Sequence, residues 1–323
     1  MRWVRAAAAT LLLVLPAAAC TGGEPAAPER LVIAAGGPED VYTFLAEALG
    51  EAAREAWSAQ VDVVTTPGSV ENLRLVAEGR ADVGFATVDA AEIAVSGQLP
   101  FVTALPIEAL ARLYDDYLQV VTLAGSGIDR LSDLAGRRVS LGTEHSGTDI
   151  VADRVLRAAG VTLDALDTRT DLSPRTSAQA LAAGEIDAFF IAGGLPTPVV
   201  TNLAGTASVR LVTMPGLVDD LQAQSGQHYQ AGSIPAGTYG LETEVATITV
   251  ANVLVVRQDL PEEFAYRLTE LLFDAKPELV DAHEEARRLD HRSALATYPI
   301  TLHAGAQRYY RATKPLAGPM VSP

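Results

Sequence analysis

Apolar residues along this chain recur with two periods, and the changes between them mark out its elements. Val70, Leu73, Val76 and Ala77 stand on one helical face, and Gly79 is a natural stop. Residues 81–86 form an apolar run of strand length, and Thr87-Val88-Asp89 leads into another helix. Ser69 is placed to cap the first of these two helices. Earlier, 31–35 reads as a strand. After Gly36-Gly37 a helix from about Asp40 puts Val41, Phe44, Leu45, Ala48 and Ala52 on one face. Residues 60–65 and 139–141 are further strands, the latter followed by a loop, 142–147, and a helix from about Thr148. Residues 117–123 and 246–256 are strongly β. Phe264, Leu268 and Leu272 share a helical face after Asp259, which has Glu262 three positions on and so reads as a cap.

Part of this pattern repeats. Ala77-Glu78-Gly79-Arg80-Ala81-Asp82-Val83-Gly84-Phe85 aligns with Ala182-Ala183-Gly184-Glu185-Ile186-Asp187-Ala188-Phe189-Phe190, and a strand, a glycine loop and a helix precede each copy. The expected fold is therefore α/β, with two βαβαβ lobes of like design. The two β-rich segments are the expected crossings that form its hinge. Lobe 1 would comprise 31–118 with 246–323, and lobe 2 would comprise 119–245. Each lobe puts glycines at strand C-termini, where open α/β sheets bind ligands.

Composition adds a location. Arg2 and Arg5 precede an apolar run, 6–15, and the small residues Ala17-Ala18-Ala19 lead to Cys20. Residues 1–19 read as a signal peptide, and the run is too short to span a bilayer. Cys20 is the only cysteine, and its setting resembles a bacterial lipobox, with Ala17 where a leucine is usual. Cys20 is thus the expected lipidation site of an extracytoplasmic, membrane-anchored protein, with 20–30 as its tether. Ordinary cleavage leaving a free thiol is the other reading. The formal net charge of −16 argues against a nucleic-acid or anionic-lipid surface partner.

The candidate chemistry is that of binding. Gly142-Thr143-Glu144-His145-Ser146-Gly147-Thr148 is a donor-rich loop at a helix start, whose backbone amides suit a carboxylate or phosphate. Capping by Ser146 or Thr148 explains the same residues without a ligand. Gly193 and Gly194 allow close backbone approach. Tyr42 fits either a ligand contact or a core position, and His145 either a donor or an exposed loop residue. There is no Gly-x-Ser-x-Gly elbow and no His-Glu-x-x-His. His283 with Glu284, Glu285 and nearby His291 reads as a charged helix face before a metal site. No catalytic residue, cofactor or metal is expected.

Several segments together resemble the TAXI family, the substrate-binding proteins of tripartite TRAP transporters. They are 68–91, Ser146-Gly147-Thr148, 189–200, 233–239 and 303–310. The resemblance implies a two-lobed, type II periplasmic-binding-protein-like fold and capture of a small organic acid or amino acid of the glutamate or 2-oxoglutarate class. It also implies delivery to a sodium-coupled permease. Ser69, Asn72, Thr87, Asp89, Ser146, Gly147, Thr148, Gly193 and Gly194 sit in the family's binding motifs, and Gly37 and Tyr42 occupy its first loop. That loop departs from the family: one tyrosine remains, and Glu39 and Asp40 enter it. Facing the cleft, these carboxylates favour a cation or zwitterion. Capping the helix, they say nothing of the ligand. A binding protein for an ABC importer or a sensor kinase is the alternative, and an enzyme on the same fold a more distant one.

Overall fold

The computed structural model describes residues 28–38 and 40–313. The signal segment, Cys20, most of the tether and Glu39 lie outside these residues. The first group of elements is β1 (Arg30–Ala34), α1 (Val41–Trp57), β2 (Gln60–Val64), α2 (Ser69–Ala77), β3 (Val83–Thr87) and α3 (Val88–Val95). The long strand β4 (Ile107–Leu123) leads to a second group. It holds β5 (Arg138–Ser140), α4 (Gly147–Ala158), β6 (Thr168–Thr170), α5 (Pro174–Ala182), β7 (Ala188–Gly193), α6 (Pro198–Ala204), β8 (Val209–Leu211), α7 (Leu217–Ser225) and β9 (Tyr229–Ile234). Strand β10 (Val245–Arg257) returns to the first group, which ends with α8 (Glu262–Asp274), α9 (Lys276–Ala282) and α10 (Ala304–Ala312).

The strands run in the order β2-β1-β3-β10-β4-β7-β5-β6, with β8 on β4 and β9 on β10. No strand of the first lobe pairs directly with one of the second among the described residues. The two crossing strands lie between them, so one hydrogen-bonded ladder passes through both lobes. Strand β4 exchanges partners at Tyr117, which lies opposite Thr249 of β10 and Gly193 of β7. In β10, Val245 to Val250 pair with β9, and Asn252 to Val256 pair with β3. The β10–β4 register slips between Ala251 and Val253, where Leu113 and Tyr114 of β4 bulge opposite the single Asn252 of β10.

Burial follows the two periods. Leu31, Ile33, Leu45, Leu49, Phe85, Tyr114, Leu268 and Leu272 form a core between α1, the first-lobe sheet and the C-terminal helices. Phe189, Ile191, Leu181 and Val200 form a second-lobe core. A third cluster joins Val70 and Val88 of the first lobe to Val151, Val155 and Tyr229 of the second. The lobes therefore stand closed against each other. Among the described residues no helix is long and apolar enough to cross a membrane. The expected cap at Asp259 is not used: α8 begins at Glu262 without a side-chain cap, and Asp259 pairs with Arg257.

Candidate functional site

The starts of α2 and α3 meet the start of α4 across the seam between the lobes. Gly68 (φ 131°) takes the cap position of α2, so Ser69 is its first residue and not the expected cap. The Ser69 hydroxyl accepts instead from the Thr87 amide at 3.1 Å. Opposite them, Ser146 caps α4 by accepting from the Asp149 amide at 3.2 Å. Gly147 comes so close that an added Cβ would lie 2.8 Å from Thr87 Cγ2 and 2.9 Å from Ser69 Oγ. The Val70 amide donates to the His145 carbonyl across the seam at 3.2 Å. His145 sits in the left-handed region, at φ 66°. The first amides of a helix have no partner within it, so three sets of donors converge here with the positive ends of three dipoles.

Other expected residues hold this arrangement from behind. Thr148 Oγ1 accepts from the Ala192 amide at 3.1 Å, tying α4 to β7 just before Gly193. Gly194 lies against Glu285, whose Oε1 accepts from the Leu195 amide at 3.1 Å and whose Oε2 accepts from Arg288 at 2.7 Å. Asn72 is wholly buried. Its amide group donates to the carbonyls of Ala35 and Phe85, and its oxygen accepts from Thr66. That makes Asn72 a tie between strand ends, its two amide hydrogens both used inside the protein. Asp89, also wholly buried, accepts from the Tyr229 hydroxyl at 2.6 Å, and Arg154 donates to the same hydroxyl at 3.1 Å. These three side chains latch α3 to the second lobe. His283 and His291 are engaged separately: His283 Nδ1 accepts from the Glu285 amide, and His291 pairs with Tyr309 at 3.1 Å.

The first loop reaches the floor of the cleft. Asp40 caps α1 by accepting from the Tyr42 amide at 3.2 Å, and its carboxylate turns against Gly36, where any Cβ would collide with it. Gly37 is half-buried beside it, with open space around its α-carbon. Tyr42 stacks on Phe85 at 5.3 Å, and its hydroxyl donates to Asn252 Oδ1. Next to Asn252 lies Asp116 of β4, 6% exposed. Burial pushes the Asp40 carboxyl up to about 6. It pushes Asp116 well above the ordinary carboxylate range, with Asp40 and Glu285 adding to the rise and the Asn252 amide opposing it.

Asp116, Asn252, Tyr229 and Glu285 were not among the candidates. A signal for one of them exists in the pattern: an asparagine inside 246–256 interrupts a β-rich run from which that residue type is depleted.

Solved structures share this fold. The periplasmic aliphatic sulphonate binding protein SsuA of Escherichia coli superposes with a TM-score of 0.52 at 15% identity, covering 88% of this chain and 83% of its own. A binding protein component of an ABC phosphonate transporter from Pseudomonas aeruginosa gives 0.54 at 13% identity, covering 79% and 78%. PhnD1 from Prochlorococcus marinus, in complex with methylphosphonate, gives 0.53 at 13%, covering 79% and 90%. These are binding proteins, and the two-lobed type II architecture expected from sequence is theirs. The TAXI assignment is corrected by the family match, and the TRAP permease inferred from it falls with it: neighbours such as the phosphonate-transporter component belong to the ABC class. Residues 33–312 match the model of the NMT1-like family, and the chain belongs to that family.

Proposed function

We propose that this chain is an exported solute-binding protein that closes its lobes on a small organic acid or amino acid and delivers it to the permease of an ABC-type importer. The observation that carries the reading is the meeting of the α2 and α3 starts with the α4 start at the floor made by the crossing strands. Such a site holds a polar solute with backbone amides, excludes water on closing and offers no nucleophile with an adjacent base. The phosphonate-transporter component among the neighbours supports the ABC partner. The charged N-terminal segment and its apolar run support export, and Cys20 supports a lipid anchor. In this reading Gly37, Tyr42, Ser69, Thr87, Ser146, Gly147, Thr148 and Gly193 line or frame the ligand. Asn72, Asp89 and Gly194 act through the residues they hold.

A thermal-shift screen of the protein against amino acids, amines, carboxylates, sulphonates and phosphonates is the test. A ligand that binds only the native state at a hundred times its Kd adds about 2.7 kcal/mol and raises Tm by a few degrees. A hit whose affinity falls on Ser69→Ala or Ser146→Ala supports the seam as the site. Hits unaffected by either change would place binding elsewhere.

A further inference from the structure

We infer that the cavity between Tyr117 and Tyr239 is a second binding site, separate from the helix starts, and that it takes a small aromatic acid.

Just past Gly194 lies a cavity of about 400 Å³, walled by Tyr117, Leu195, Pro196, Pro235, Tyr239 and Arg288. No residue of the helix starts at the seam lines it. The size suits a small organic molecule. The walls come from both lobes. Arg288 follows α9 in the first, Tyr117 stands where β4 exchanges partners, and the others belong to the second. An occupant that touches both lobes favours their closed arrangement.

Both rings are held in place. Tyr239 sits in the left-handed region at φ 54°, between Gly237 and Gly240, a conformation that costs a non-glycine residue free energy. Its hydroxyl accepts from the Thr197 amide at 2.6 Å, which fixes the ring as a wall. Tyr117 lies under Arg288: the guanidinium carbon is 5.9 Å from the ring centre, and Nη2 donates to the Tyr117 hydroxyl at 3.3 Å. Two fixed rings and two prolines around one cavity offer a flat ring stacked and edge contacts.

Charge sets the other half of the ligand. Arg288 is the one charged side chain on the wall, and it is half exposed. Glu285 accepts from Arg288 Nε and from the Leu195 amide, so it is spent on structure and does not line the cavity. With Nε on Glu285 and Nη2 on Tyr117, Nη1 faces a carboxylate as a charged donor. The hydroxyls of Thr201 and Ser233, also on the wall, give their hydrogens to the Thr197 oxygen and to Glu244. They meet a ligand as acceptors, which a hydroxyl on the ring satisfies. An aromatic amine would face Arg288 as a like charge, and a short aliphatic acid would leave the rings uncovered.

The experiment titrates the full chain with benzoate, 4-hydroxybenzoate, acetate and benzylamine, by thermal shift and then by calorimetry. The aromatic acids should bind more tightly than acetate or benzylamine by about tenfold or more. Arg288→Gln should weaken them about ten- to a hundredfold. Thr201→Trp and Thr238→Trp fill the cavity while leaving Arg288 on Glu285, and should abolish binding with circular dichroism unchanged. These two decide the matter even where Arg288→Gln disturbs the fold. No response to either aromatic acid, an equal response to acetate, or unchanged affinity in both tryptophan variants overturns the inference. If Ser146→Ala abolishes binding of the aromatic acid and both tryptophan variants bind it normally, the acid sits at the seam. The solute-binding reading then stands, and the second site fails.

Discussion

The ionisation of Asp40 sets a pH dependence for the ligand-free protein. Its folded-state carboxyl, lifted to about 6 by burial, binds its proton more tightly than in the unfolded chain. Between the ordinary carboxylate value and 6 the native state thus holds more protons, so stability falls as pH rises. The contribution is fully present below the unfolded value and is lost as pH rises through 6. The single group accounts for up to about 3 kcal/mol, and Asp116 acts in the same direction at higher pH. Urea unfolding of the free protein should give a lower midpoint at pH 7.5 than at pH 5, and Asp40→Asn should flatten the difference. An equal slope in both proteins would remove Asp40 from the account. At this scale the sequence speaks unevenly. Ser146 and Asp40 are legible as caps, because capping is a local event. Asn72 is not legible as a tie between Ala35 and Phe85, since its partners lie 37 and 13 residues away.

The helix starts act as elements, and Gly147 is where their approach is closest. A larger side chain there would meet Thr87 and Ser69 without straining the backbone of α4, because no positive φ is required at that position. Gly147→Val should hold the lobes apart. Small-angle scattering should show a larger radius of gyration, and ligand affinity should fall by about tenfold or more, because blocked closure removes the preorganised contacts of one lobe. A variant as compact as the parent would refute the seam as the closing contact. Elements were legible where periodicity is strong: α1, α2 and the repeat at 77–85 and 182–190. Strand β4 begins at Ile107, ten residues before the segment read as β. Over that stretch apolar residues on both faces hide the period of two.

For the whole molecule, attachment to a membrane depends on residues outside the described structure. Cys20→Ser should release the protein from the membrane fraction of the producing cells. Continued sedimentation with membranes would overturn the lipid anchor. The transporter class was misread at this scale for a physical reason. Glycines at strand ends and hydroxyls at helix starts are what a two-lobed cleft needs, whichever permease it serves. The motifs at 68–91 and 146–148 therefore reported the architecture and left the partner open. The acid at the floor was legible only in part, through Asp40; Asp116 comes from a crossing strand whose role depends on long-range pairing.

The pairing of β4 and β10, slipped in register between Ala251 and Val253 and again between Leu254 and Val255, has a mechanical meaning. A 17-residue strand is roughly 55 Å long at about 3.3 Å per residue. Here it is one rail of a ribbon that runs from lobe to lobe. Such a ribbon stores elastic energy when flexed, as a leaf spring does, and it has a rest position. Flexure concentrates where the rails slip against each other, at Ala251 to Val253, so the compliant point and the floor of the cleft are the same few residues. A molecule seated on Asn252 would therefore stiffen the ribbon at its softest place.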